Sequence, residues 1–202
     1  QMCIRDSTNG KPVRGVVVSD GTTSVATNAY GIYQIKRSPN ARFVYYSTPW
    51  DYEIEVAEDC SAAKFYAEIP ENAGTHRQDF TLRKRTAETS EFTVIGVGDP
   101  QVKVPVDNER FTSETTPVLK DAVARQTKPC IILSMGDQVE DNLDYMAATR
   151  LNLGSTGAPA FSVVGNHDKM RYASDPMLPR NADDHCALWG PTDYSFNMGN
   201  YL

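Results

Sequence analysis

Cysteine is scarce in this 202-residue chain. Cys3, Cys60, Cys130 and Cys186 are too few and too scattered for a disulfide framework, and no Cys-x-x-Cys pair suggests a thiolate metal or redox centre. Cys130 opens an apolar run and reads as a small buried residue. Basic residues are outnumbered, 20 against 26 acidic, and the imbalance is uneven. Residues 1–88 hold 11 of each sign, whereas residues 89–202 hold 9 basic and 15 acidic. Such a surface is not one that binds nucleic acid, which needs a basic patch. No apolar run approaches the length of a membrane span, and no Gly-rich phosphate loop follows any apolar run, which disfavours a nucleotide-binding α/β protein. Histidine is rarer still: His76, His167 and His185.

What is present is an ordinary globular composition, 40% apolar and 23% charged, enough to bury a real core. Residues 1–8 lack periodicity and read as a scar or a disordered lead-in, outside the fold. Residues 9–84 read as an all-β sandwich module. Val13 to Val18, Gly31 to Ile35, Arg42 to Ser47 and Gln78 to Arg83 are short strand-like runs, punctuated by turns at Asp20-Gly21 and Asn28-Ala-Tyr-Gly31. His76 lies in a polar stretch of this module and reads as a surface residue. The charged stretch 85–91 reads as a linker.

From Phe92 the pattern changes to strand, helix, strand, helix, strand, the alternation of a βαβ layer over 92–202. Helices are expected over roughly Glu109 to Gln126 and Asn142 to Leu153. Pro117 must either begin the first of them behind a Thr116 cap or kink it. Right-handed crossovers would bring the three strand ends to one edge. Asp193 to Leu202 reads as a hairpin cut within its second strand.

The chemistry gathers at those strand ends. Phe92 to Gly98 runs into Asp99-Pro-Gln101, Cys130 to Met135 into Gly136-Asp137, and Phe161 to Val164 into Gly165-Asn-His-Asp168. Ligands of open α/β sheets sit beyond the carboxyl ends of the strands. Carboxylates and amide oxygens beside an imidazole suit a divalent metal site acting on phosphate. Asp137 could bridge two cations, Asp99 with Gln101 beside it holding one and Asn166 the other. His167 would project past the metals as phosphate contact or general acid. Glu140 or Asp141 could orient it, with Asp141 preferred. Taken singly, Asp99-Pro100 could be a turn and Gly136-Asp137 a helix cap. A His and an amide at the end of one strand are not needed for turning.

These residues carry two resemblances. Gly10-Lys-Pro-Val-Arg-Gly-Val-Val-Val, followed by Ala26-Thr-Asn-Ala-Tyr-Gly-Ile-Tyr33, resembles carboxypeptidase-regulatory-like and transthyretin-like sandwich modules. The order Asp-Pro-Gln, Gly-Asp, Gly-Asn-His-Asp resembles the calcineurin-like metallophosphoesterases, and Trp189-Gly-Pro-Thr-x-Tyr-Ser-Phe196 is similar to a segment of bacterial members that pair the two domains. The resemblance implies an N-terminal sandwich followed by an αββα-type domain incomplete at its C-terminus. It also implies a binuclear centre of Mn, Fe, Zn or Mg held by Asp99, Gln101, Asp137 and Asn166, with His167 on the phosphoryl group.

The implied activity is hydrolysis of a phosphate ester by a metal-bound hydroxide, performed by the full-length parent. Two departures qualify it. Gln101 stands where the family usually has His, and the family's later histidines are not among these residues, so the fragment itself is expected to be inactive. His185 lies in no matching motif and reads as a surface or rim residue. The alternative is a non-catalytic cell-surface binding or adaptor protein that keeps the fold. The module type favours export, to the periplasm or cell surface.

Overall fold

The computed structural model of the chain describes residues 2–71, 74–86, 90–169 and 181–199. These fall into two compact units. The first takes the described residues of Gln1–Glu55, Phe65–Glu91 and Asp193–Leu202, and the second those of Val56–Lys64 and Phe92–Thr192.

The first unit is built from seven short strands: β1 (Met2–Asp6), β2 (Val17–Ser19), β3 (Ser24–Ala26), β4 (Ile32–Tyr33), β5 (Phe43–Tyr46), β6 (Tyr66–Glu68) and β7 (Phe80–Leu82). They form an antiparallel sheet ordered β3-β2-β5-β6 and a mixed sheet ordered β4-β1-β7. Ile4, Val16, Val18, Tyr46 and Leu82 are among its most deeply buried side chains. Tyr46 of β5 meets Phe80 of β7 edge to face at 4.9 Å, so the two sheets share one apolar filling. The turn before β4 needs Gly31, since a Cβ there would lie 2.5 Å from the carbonyl oxygen of Ile4.

Two differences from the sequence reading fall here. Residues 1–8 are not a dispensable lead-in, because β1 is the central strand of its sheet, paired with β4 and β7. Its inward residues are Ile4 and Asp6, and a buried carboxylate hides the usual apolar alternation. Asp6 is accommodated by accepting the Thr8 N–H at 2.8 Å. The second difference is that Tyr194 to Phe196 belongs to this unit. Phe196 bridges Thr48 and the Tyr194 ring lies 4.9 Å from that of Phe65. Residues 87–89 of the expected linker, and 200–202 of the expected hairpin, lie outside the described residues.

The second unit is a three-stranded parallel sheet, β10-β9-β8, with helices. Its strands are β8 (Thr93–Val97), β9 (Cys130–Ser134) and β10 (Ala160–Ser162). Between β8 and β9 runs one helical stretch made of α1 (Pro105–Arg110), a π turn (Phe111–Thr115) and α2 (Thr116–Ala124). Pro117 therefore stands in the first turn of α2, as expected, but behind Thr115 rather than a Thr116 cap and without interrupting the helical stretch. It lacks an N–H and its ring crowds the carbonyl four residues back, so the preceding turn widens and Thr116 bonds back to Phe111 O. A 3₁₀ turn (Leu143–Tyr145) leads into α3 (Met146–Gly154) before β10, and α4 (Asp183–Trp189) follows later.

The core gathers Val102, Phe111, Leu119, Ile132, Leu153, Ala160 and Trp189. Val56–Lys64, inside the range read as sandwich, adds to this unit because its backbone completes the β10 edge. Ser61 and Ala63 exchange hydrogen bonds with Ala160 at 2.8 Å each. The Arg150–Asp59 ion pair, at 2.7 Å, fastens it further. Among the described residues no helix is long and apolar enough to cross a membrane, and the four cysteines are free thiols.

Candidate functional site

Because β8, β9 and β10 are parallel neighbours, the loops that follow them leave one edge of the sheet. Those loops are laced together at Asp137. Its carbonyl oxygen accepts the Gln101 N–H at 3.0 Å, and its Oδ1 accepts the His167 N–H at 2.9 Å. One rung further on, Val102 N–H donates to Gln138 O at 3.1 Å and Val102 bridges Val139. Gly136 and Gly165 let the loops after β9 and β10 touch. A Cβ on Gly136 would lie 3.0 Å from the Gly165 Cα, and one on Gly165 would lie 2.0 Å from Asp137 Oδ1.

Among the described residues, the non-glycine residues with positive φ are Asp99 (46°), Gln101 (48°), Asp137 (48°) and Asp141 (60°). This left-handed region costs about 1–2 kcal/mol for an ordinary L-residue, less for Asp, whose short side chain can bond locally. Strain of this kind persists where surrounding contacts over-determine it, and it clusters at functional loops. All four lie in the loops after β8 and β9.

Asp141, rather than Glu140, is the carboxylate beside His167, its Oδ1 lying 2.9 Å from His167 Nδ1. Glu140 turns instead to Lys103, 2.8 Å away. An oxygen facing Nδ1 fixes the proton on that nitrogen and the plane of the ring. The side chains of Asp99 and Asn166 are exposed, and among the described residues neither is hydrogen-bonded to Asp137, His167 or Asp141. Hydrogen bonds thus bring together Gln101 (through its backbone), Asp137, His167 and Asp141, while Asp99 and Asn166 share only the edge.

Three residues that sequence reasoning left without a role support the loops from below. Asp168 is fully buried; its Oδ2 accepts the Gly165 N–H at 2.9 Å and its Oδ1 the Val139 N–H at 3.2 Å. Burial pushes its carboxyl above the ordinary value, against the pull of those backbone donors. Gln138, also fully buried, donates from Nε2 to Ser162 Oγ at 2.8 Å. Nothing in the local pattern marks Gln138 or Ser162; Asp168 alone carried a signal, as a carboxylate closing the Gly-Asn-His-Asp run.

The expectation for His185 is corrected: it is not at the surface or rim but fully buried, its Nε2 3.2 Å from Ser162 Oγ. Desolvation lowers its pKa to about 4. His76 is half-buried, and among the described residues its Nε2 has no hydrogen-bond partner.

As a donor set, two carboxylates and two side-chain amides offer hard oxygens that fit Mg or Mn better than a thiol-seeking ion. Among the described residues no group of three or more His, Cys, Asp or Glu side chains is arranged to hold a metal ion.

Compared with known families, residues 4–85 match the one described as the N terminal of calcineurin-like phosphoesterase. The matched stretch is the β-rich N-terminal part, and the strand-end residues lie outside it. No curated protein and no solved structure matches the chain.

Proposed function

We propose that the strand-end loops form part of a metal-dependent phosphoesterase site, and that the protein to which they belong hydrolyses phosphate esters. The observation that carries this reading is the lacing of three parallel-strand loops onto Asp137, with His167 held beside it by Asp141. Asp99 and Gln101 would hold one divalent cation, Asn166 a second, and Asp137 would serve both. When bound, the cations supply Lewis-acid polarisation of the phosphoryl oxygens and an activated water. The remaining work belongs to side chains. With Nδ1–H committed to Asp141, His167 would turn Nε2 to the phosphoryl group or to the leaving oxygen, where, as the imidazolium with a second proton on Nε2, it could stabilise charge or give up that proton. The rigid loops keep these groups from reorganising as charge develops.

The family match of residues 4–85 and the Gly-Asn-His-Asp loop support the same conclusion from separate parts of the chain. The substrate is a phosphorylated molecule, and the module type favours an exported location. The reading is tested with p-nitrophenyl phosphate as a general ester, with and without added Mn²⁺. The 202-residue chain should show trace turnover at most, because its donors are oxygens alone, and any turnover should vanish in Asp137→Asn. Turnover that is independent of Mn²⁺, or unchanged in Asp137→Asn, would contradict the assignment.

A further inference from the structure

A neutral imidazole sits in the core directly beneath the site loops. His185 of α4 is fully buried, as are Gln138 and, on β9, Ser134; Ser162, at the end of β10, is nearly so. Ser162 Oγ is the hub. It receives Gln138 Nε2 at 2.8 Å, donates its own proton to Val163 O at 3.2 Å, and lies 3.2 Å from His185 Nε2. The hydroxyl thus joins the Gln138 amide and the His185 ring in one hydrogen-bonded line. A line of hydrogen bonds therefore runs from α4 through the end of β10 to Gln138, the residue after Asp137. Gln138 in turn carries the carbonyl that receives the Val102 N–H from the loop after β8.

The arrangement is costly. Among the described residues, His185 Nδ1, Gln138 Oε1 and Ser134 Oγ are buried without a hydrogen-bond partner, each a desolvation loss left uncompensated. Ser134 stands opposite Ser162 in the β9–β10 register, so at least one of these orphan atoms adjoins the hub in the sheet itself. Apolar side chains would fill this space without that penalty, and burial already excludes the charged form of His185. A polar core placed where three functional loops are anchored calls for a role in holding them.

We propose that His185 is a positioning residue: through its hydrogen bond with Ser162, which also receives Gln138, it fixes the backbone on which Asp137 is carried. Its consequence for cation binding rests on the metal-site reading given above; its effect on the loop does not.

The test compares the whole chain with His185→Leu, which removes the hydrogen bond to Ser162, and His185→Gln, whose amide can restore it. Hydrogen–deuterium exchange of the 135–142 segment is read without metal, beside Mn²⁺ affinity and the melting temperature. Loss of one hydrogen bond's constraint should speed exchange in 135–142 about tenfold in H185L and weaken Mn²⁺ binding by a similar factor. H185Q should recover most of both, and α3 should keep its protection throughout. Unchanged exchange at 135–142 in H185L, or equal loss in H185L and H185Q, would overturn the proposal. If H185L does not fold, Ser162→Ala cuts the same line one link later and must loosen 135–142; if it does not, the proposal falls. Loosening of the loop in H185L with no Mn²⁺ binding by the parent chain would sustain the positioning role and reject the metal reading instead.

Discussion

Gly165 packs against Asp137 so closely that a Cβ on it would fall 2.0 Å from the carboxylate Oδ1 and 2.1 Å from the backbone nitrogen. The second of these cannot be relieved by a side-chain rotation. Gly165→Ala should therefore push the two loops apart, destabilise the chain by about 2–3 kcal/mol as over-packing does, and disturb Asp137 most of all. Urea unfolding measures the first effect. Chemical shifts of Asp137 and His167 measure the second, and their invariance would show that the loops are not in contact.

Asp168 is the fastening of the His167 loop. Asp168→Ala leaves the Gly165 and Val139 N–H groups without their acceptor in a buried place, at about 1–3 kcal/mol for each. A loss of about 2–4 kcal/mol in urea unfolding is expected. Asp168→Asn, which keeps one acceptor oxygen, should lose less. Equal stability of D168A and the parent chain would remove Asp168 from the account.

His185 makes stability depend on pH in a definite direction. Folded His185 takes up a proton only near pH 4, whereas in the unfolded chain it does so near 6.5. Between those values the unfolded state binds more protons, so this residue's contribution falls as pH drops from 6.5 to 4 and is constant outside that window. The depression corresponds to roughly 3 kcal/mol. Denaturation curves at pH 7 and pH 4.5 should differ less in His185→Gln than in the parent; an identical difference would mean that His185 titrates normally.

The two units exchange chain segments, which sets what a cut can release. Val56–Lys64 lies with the second unit, while the stretches before and after it lie with the first. Cleavage between residues 86 and 92 should leave both fragments migrating together on gel filtration, held by the 56–64 segment on β10. Separation of a free N-terminal fragment without denaturant would show that this segment binds weakly.

Strong local signals made parts of this fold legible from sequence. The runs Phe92 to Gly98, Cys130 to Met135 and Phe161 to Val164 are apolar enough to read as parallel strands, and the residues just past them include turn formers with donor side chains, although β8 is not buried as its composition suggests. Where function or support rests on tertiary contacts, the signal fades. Met2 to Asp6 hides a central strand because one of its inward residues is a carboxylate satisfied by the next turn. Val56–Lys64 holds no long apolar run, since it pairs through its backbone. His185 sits behind Asp183 and Asp184 in a helix of seven residues, too short to display a buried face. Gln138 and Ser162 look like ordinary polar residues until α4 and the β9 loop are brought over them. The left-handed backbone at Gln101 had no residue-level sign, since glutamine rarely adopts it.

The central claim is that Asp99, Gln101, Asp137 and Asn166 present their oxygens to common divalent cations. The most direct measurement is an anomalous difference map from crystals of the chain grown or soaked with Mn²⁺. The account predicts at least one peak at the edge beyond β8, β9 and β10, about 2.1–2.5 Å from an Asp137 carboxylate oxygen and from Asn166 or Asp99, absent in Asp137→Asn. Mn²⁺ bound only elsewhere, or a peak at that edge that persists unchanged in Asp137→Asn, would contradict it.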